Sequence, residues 1–191
     1  PDWGDVYTLG AISLLSSNGA DAQLAKEGLL ALADSLTTVQ QQSAYNTSIT
    51  RFRWGSNSDV ANYGMVKLVA YRQTGDRKYL ESALYDMDYI LGANATGYCF
   101  VTGFGTRSPM NIHHRPSAAD GIEAPIPGFL SGGPNLSVMT DCDSTGRSLY
   151  PAASFQDMLC SYSTNEIAIN WNAPLIFLSG GIDAEMLSIQ K

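Results

Sequence analysis

Residues 76–94 read DRKYLESALYDMDYILGAN. Asp76 stands where a helix N-cap accepts free backbone N–H groups. Tyr79, Leu80, Leu84, Met87, Tyr89, Ile90 and Leu91 recur at helical spacing, and Gly92 is the residue a helix C-terminus favours. The stretch predicts one complete helix with both ends marked. The same grammar extends upstream. A helix after Ser58 or Asp59 uses Val60, Tyr63, Met65, Val66, Val69 and Ala70 and stops at Thr74-Gly75. Before it, Leu24, Leu29, Leu30, Leu32, Leu36 and Val39 follow Asn18-Gly19, with Asp21 able to cap, and a first pattern uses Val6, Leu9, Ile12 and Leu15. A last helix is expected from about Thr164 to Leu178, with Thr164 or Asn165 near its cap. Short turns between the first four predict sequential antiparallel helices. No strand-rich stretch competes, so the expected class is all-α.

Between these patterns, from about Ala93 to Ser154, the chain reads as one long loop, a length that a compact domain keeps only for function. Across the 191 residues, 11 Lys and Arg oppose 18 Asp and Glu, a net charge of −7. That balance argues against nucleic acid and anionic membrane surfaces, which need clustered cations. With 15% charged, 45% hydrophobic and 10% aromatic residues, general disorder is excluded. No apolar run approaches the roughly 18 residues that span a bilayer. Pro1-Asp2-Trp3-Gly4-Asp5 shows no secretory signal, and the first helical pattern starts almost at once.

Chemistry-bearing residues gather in two places. The first runs from Gly97 to Arg115 and holds both histidines, in Asn111-Ile112-His113-His114-Arg115. In extended backbone His113 and Arg115 share a face and His114 points away. Such a pair can donate hydrogen bonds to hydroxyls or a carboxylate; His113 can equally be a buried structural histidine. Adjacent histidines reach one metal ion poorly, and no Cys or carboxylate sits at ligand spacing, so no metal site is expected. The second segment is Phe155 to Pro174. There Glu166, beside Tyr162, Asn165 and Trp171, opens an apolar helix. Apolar surroundings strengthen a carboxyl's hold on its proton, which suits a general acid, whereas a helix N-terminus favours the anion. An ordinary first-turn glutamate is the competing reading.

Together these segments resemble the two signature regions of glycoside hydrolase family 9, the cellulase family E. Gly105, Arg107, His113 and Arg115 meet the spacing of the first, after Val101-Thr102-Gly103-Phe104-Gly105, with Cys99 where a small hydroxyl residue is usual. Phe155, Asp157, Tyr162, Glu166, Ala168, Asn172 and Ala173 meet the second. Arg53-Trp54-Gly55-Ser56-Asn57 and Gly132-Gly133-Pro134-Asn135 also resemble family segments, so the likeness covers nearly the whole chain.

The resemblance implies part of an (α/α)6 barrel, about half of its helices, with long active-site loops, and places residues 1–191 in the C-terminal portion of one catalytic domain. It implies inverting hydrolysis of β-1,4-glucosidic bonds in cellulose or cello-oligosaccharides, with Glu166 as general acid and Asp157 supporting the catalytic site. His113 and Arg115 would hold sugar hydroxyls, and Trp54 and Trp171 would offer ring faces to pyranoses, although either tryptophan could equally be core. The family's base comes from an Asp-x-x-Asp motif early in the domain. Asp2 and Asp5 have that spacing in a different context and are read as a mid-domain segment. On this reading the chain lacks the base, is inactive alone, and has the N-terminal half of the domain as its partner beside the β-glucan. An exo-acting β-glucosidase or β-glucosaminidase is the alternative within the family, and a non-catalytic carbohydrate-binding or scaffold piece the alternative outside it. The resemblance also implies a Cys142–Cys160 disulfide with Cys99 unpaired, and a secreted or periplasmic location. It implies no required cofactor and admits a structural calcium ion elsewhere in the full enzyme. Asn46, Asn94 and Asn135 lie in Asn-x-Ser/Thr sequons, frequent by chance.

Overall fold

A computed structural model describes residues 1–2, 4–142 and 146–189. Its long helices are α1 (Tyr7–Leu14), α2 (Ala20–Gln41), α3 (Ser56–Thr74), α4 (Arg77–Leu91) and α7 (Ile169–Ile189), with two short ones, α5 (Arg115–Ala119) and α6 (Tyr162–Asn165), in the loop region. Strand pairing among the described residues is confined to isolated bridges. The protein is all-α, as its periodicity requires.

The best-marked helix follows its sequence most closely. The Asp76 carboxylate accepts the Lys78 N–H at 3.0 Å, and Gly92 ends α4 at a φ of 133°. Elsewhere the ends move. α3 begins at Ser56 rather than after Ser58, because Gly55 at a φ of 85° turns the chain into it. α2 starts from Gly19 with no side-chain cap, so Asp21 lies in its first turn instead of capping it.

The last helix differs most from expectation. α6 stops at Asn165, Glu166 is extended (φ −69°, ψ 151°), and α7 starts only at Ile169 and continues to Ile189. The reason is competition for backbone groups. Thr164, Asn165 and Glu166 offer their carbonyls to Gly133, His113 and Gly132 at 2.8, 2.8 and 3.0 Å, so Thr164 and Asn165 end the short α6 and neither caps the start of α7.

α3 is the central helix, touching α2, α4 and α7. On one side Val66, Val69 and Ala70 pack against Leu29, Ala33 and Leu36 of α2; on another, Leu68 meets Leu80, Ala83, Leu178 and Ile182. Gly64 permits the α3–α7 approach, since a Cβ there would lie 2.7 Å from Leu178 Cδ2. A third cluster joins Val60, Tyr89 and Ile90 to Phe100, Val101 and Leu130 of the long loop. That loop is therefore packed onto the helices. Of the first helical pattern, Val6 and Leu9 are exposed, while Ile12 and Leu15 pack toward α2. Cys142 and Cys160 are disulfide-bonded with Cα atoms 5.3 Å apart, and Cys99 is a buried free thiol. No helix of the described residues is long and apolar enough to cross a membrane.

Candidate active site

Glu166 sits in an extended segment wedged between two loops. On one side it bridges to His113, whose N–H donates to the Asn165 carbonyl; on the other, Ile167 bridges to Ser131 and the Gly132 N–H donates to the Glu166 carbonyl. This geometry removes the helix-terminus argument for Glu166, because the residue lies outside both α6 and α7. Its carboxylate instead accepts a hydrogen bond from Trp54 Nε1 to Oε2 at 3.1 Å.

Trp54, Tyr162 and His113 form a row of rings, with centroids 5.4 Å and 5.9 Å apart. His113 Nδ1 lies 2.7 Å from the Leu159 carbonyl, which can only accept, so that nitrogen carries the proton and Nε2 is the ring's free edge. His114 turns elsewhere, toward Ser117 and Phe129. The extended run ends there. Arg115 opens α5, so the alternation that would place it beside His113 stops one residue short. Its side chain is exposed and makes no hydrogen bond or ion pair among the described residues.

Asp157 joins the two chemistry-bearing segments. Its carboxylate accepts the N–H groups of Met110 and Asn111, each at 2.8 Å, and Asn165 Nδ2 at 2.9 Å. Asn165 also donates to the Asn111 carbonyl at 2.8 Å. With its oxygens engaged in this way, Asp157 anchors the loop that carries His113.

Trp54, Glu166 and Trp171 line one cavity of about 890 Å³, together with apolar side chains including Met65, Pro174 and Phe177. Trp54 keeps 36% of its surface exposed; Trp171 keeps 6%. A Cβ at Gly55 or Gly132 would lie 3.0 or 3.1 Å from the Trp171 ring, so this tryptophan is wedged between two backbones. It forms wall rather than an open stacking face. Asp2 reaches the same cavity, where Arg53 bridges it at 2.6 Å to Asp59 at 2.8 Å. Burial works against ionisation of Asp2, but the Arg53 guanidinium and the N–H groups of Gly4 and Asp5 outweigh it and hold the carboxyl below its usual range.

Residues 2–179 match the sequence profile of Glycosyl hydrolase family 9. The chain belongs to that family. Among its relatives, the xyloglucan-specific endo-β-1,4-glucanase of Bacteroides ovatus is 42% identical over 96% of this chain and 33% of its own length. The cellodextrinase of Butyrivibrio fibrisolvens is 38% identical over 94% and 34%. A solved structure of AaCel9A in complex with cellobiose-like isofagomine superposes with a TM-score of 0.82 at 32% identity, over 94% of this chain and 36% of that one. This family 9 chain thus spans about a third of the length of those relatives, and its helices are part of the family's (α/α)6 barrel.

Several residues shape this family 9 site through contacts that no sequence pattern announces, although Asn57, Asn135 and Asn172 lie in the segments that resemble the family. Asn57 is fully buried and donates to the Ser131 carbonyl at 2.9 Å, tying the start of α3 to the loop beside Glu166. Arg147 is buried and donates to the Asn135 and Val138 carbonyls at 2.6 and 2.7 Å. Asn172 accepts the Leu130 N–H at 2.9 Å. The sequon residues Asn94 and Asn135 are buried and spend their amides on backbone carbonyls, which leaves no room for a glycan in this fold. In each case a polar side chain holds backbone of other residues, a contact that neither periodicity nor the spacing of a motif specifies.

Proposed function

We propose that this chain supplies the general acid and part of the sugar-binding wall of an inverting β-1,4-glucan hydrolase, as the C-terminal portion of a longer catalytic domain. The observation that carries this reading is the seat of Glu166: a carboxyl held by an indole N–H at the edge of a large, mostly apolar cavity, within a family 9 chain. Glu166 protonates the leaving glycosidic oxygen, and a second carboxylate activates water on the opposite face of the sugar. Trp54, with an exposed ring beside Glu166, stacks on a pyranose, and the free edge of His113 takes a sugar hydroxyl. Arg115, exposed and uncommitted, is the further hydroxyl ligand.

Among the described residues, Asp2 is the other carboxylate that lines this cavity. Asp2 and Asp59 are tied to Arg53, and the Asp157 oxygens hold loop N–H groups. On the family resemblance, the base would come from an Asp-x-x-Asp motif early in the catalytic domain. Relatives named for xyloglucan and cellodextrin support a β-1,4-glucan, cellulose or cello-oligosaccharide, as substrate class. The Cys142–Cys160 bond suits a secreted or periplasmic protein. Glu166→Gln in the complete catalytic domain tests the reading. Turnover of unactivated cello-oligosaccharides should fall about 10³-fold or more, the scale of a lost general acid, with a smaller loss on nitrophenyl glycosides. Near-normal turnover would overturn it, as would products whose anomeric configuration, read by NMR, is retained.

A further inference from the structure

Trp54 meets Glu166 through its ring edge rather than its ring face, and this separates two roles that one tryptophan can play. The indole Nε1–H only donates, so Glu166 Oε2, 3.1 Å away, is the acceptor in this contact. An oxygen whose in-plane lone pair is taken by a donor is the poorer place for the carboxyl's own proton, which leaves Oε1 to carry it. The contact also stops the carboxyl from rotating about its terminal bond.

Trp54 is itself well fixed. Its backbone N–H donates to Ser137 Oγ at 3.2 Å, and its ring leans on Tyr162 with centroids 5.4 Å apart. The next residue, Gly55, adopts a φ of +85° and packs directly on Trp171, so the turn that aims the indole has little freedom. The Glu166 backbone is held by the bond from the Gly132 N–H to its own carbonyl and by the bond from the His113 N–H to the carbonyl of the preceding Asn165. The donor and the acceptor thus belong to separately anchored segments, 112 positions apart in sequence.

We infer that Trp54 is a positioning residue: its indole N–H fixes the Glu166 carboxyl so that Oε1 is the oxygen that delivers the proton to the leaving group. The inference rests on the reading of Glu166 as general acid. It assigns to the ring edge a task apart from any stacking by the ring face. Losing the N–H while keeping the ring should therefore change the chemical step and its pH dependence, and leave substrate affinity nearly intact.

The test uses the complete catalytic domain with Trp54 replaced by 3-benzothienylalanine, which has sulfur in place of the N–H, and separately by Phe. Values of kcat and KM are measured across pH on an unactivated cello-oligosaccharide. For the isostere we expect KM within about threefold of the parent and kcat lower by about 10- to 100-fold. The alkaline limb of kcat should move to higher pH, because the carboxylate form loses a charge-assisted donor. The deficit should shrink on a dinitrophenyl glycoside, whose leaving group needs no proton. An isostere with unchanged kcat and unchanged alkaline limb would overturn the inference, and so would a change confined to KM. Glu166→Gln is the control: if it is inactive while the isostere behaves as the parent, only the role of Trp54 falls. If Glu166→Gln turns over normally, the acid assignment falls and this inference with it. The Phe variant adds a loss of packing, and the isostere, matched in shape, decides between packing and hydrogen bonding.

Discussion

The α3–α4 pair and the loops around Glu166 solve the same problem, burying polar groups, in opposite ways. In the helical pair the backbone satisfies itself, and the polar side chains buried between α3 and α4 converge on one centre. Lys67 Nζ lies 2.7 Å from Asp86 Oδ2, both side chains fully buried, while Ser48 N–H and Gln40 Nε2 donate to Asp86 Oδ1 at 3.3 Å each. Burial pushes Lys67 down and Asp86 up, against the charged forms, and their mutual contact opposes it. In the loops the side chains satisfy the backbone instead: Asp157, Asn165, Asn135 and Arg147 each hold main-chain atoms from other segments. The scaffold concentrates its polar risk in one place, whereas the site distributes it over many single contacts.

The comparison breaks most visibly at the centre of the scaffold. Lys67→Met strands a buried carboxylate and should cost about 3–5 kcal/mol in urea unfolding of the complete domain. The double variant Lys67→Met/Asp86→Leu removes both charges and should recover most of that loss. A single variant within about 1 kcal/mol of the parent would show that the pair does not hold the helices together.

A smaller and local effect is expected in the loops. Asp157→Asn keeps the volume but turns one acceptor into a donor facing an N–H. Asp157 is only half-buried, so the cost should be about 1 kcal/mol, the net worth of a hydrogen bond. Hydrogen exchange at the Met110 and Asn111 amides should accelerate while the α3–α4 amides keep their protection. Uniform acceleration in both regions would mean that site and scaffold are one cooperative unit.

This contrast also explains what could be read from sequence. Tyr79, Leu80, Tyr89 and Ile90 announce α4 because a buried stripe must repeat every turn. Glu166 and His113 were reached through spacing that resembles a family signature. The run from Thr164 to Leu178 misled because apolar periodicity continues through Ile167 and Ile169, although the backbone between α6 and α7 is claimed by His113, Gly132 and Gly133. The Trp54–Glu166 contact joins residues far apart in sequence, and Asn57, Asn165 and Arg147 act through hydrogen bonds to other segments. Such partners follow from tertiary placement alone.

The smallest effect lies where scaffold and site meet, at Asp2, Arg53 and Asp59. Asp2 titrates below its usual range when folded, so its contact with Arg53 adds stability above the unfolded carboxyl's value of about 3.9, and that contribution disappears as pH falls through the lower folded value. Asp2 and Arg53 keep 22% and 52% of their side chains exposed, so water and salt screen the pair and the gain is slight. Comparing Asp2→Asn with the parent should show a small drop in thermal midpoint near pH 7 that closes at pH 3 or below and shrinks in high salt. The Lys67→Met deficit should barely respond to the same salt, because no mobile ion reaches that pair. A salt-insensitive loss at Asp2 would place it with the buried scaffold rather than at the wet rim of the cavity.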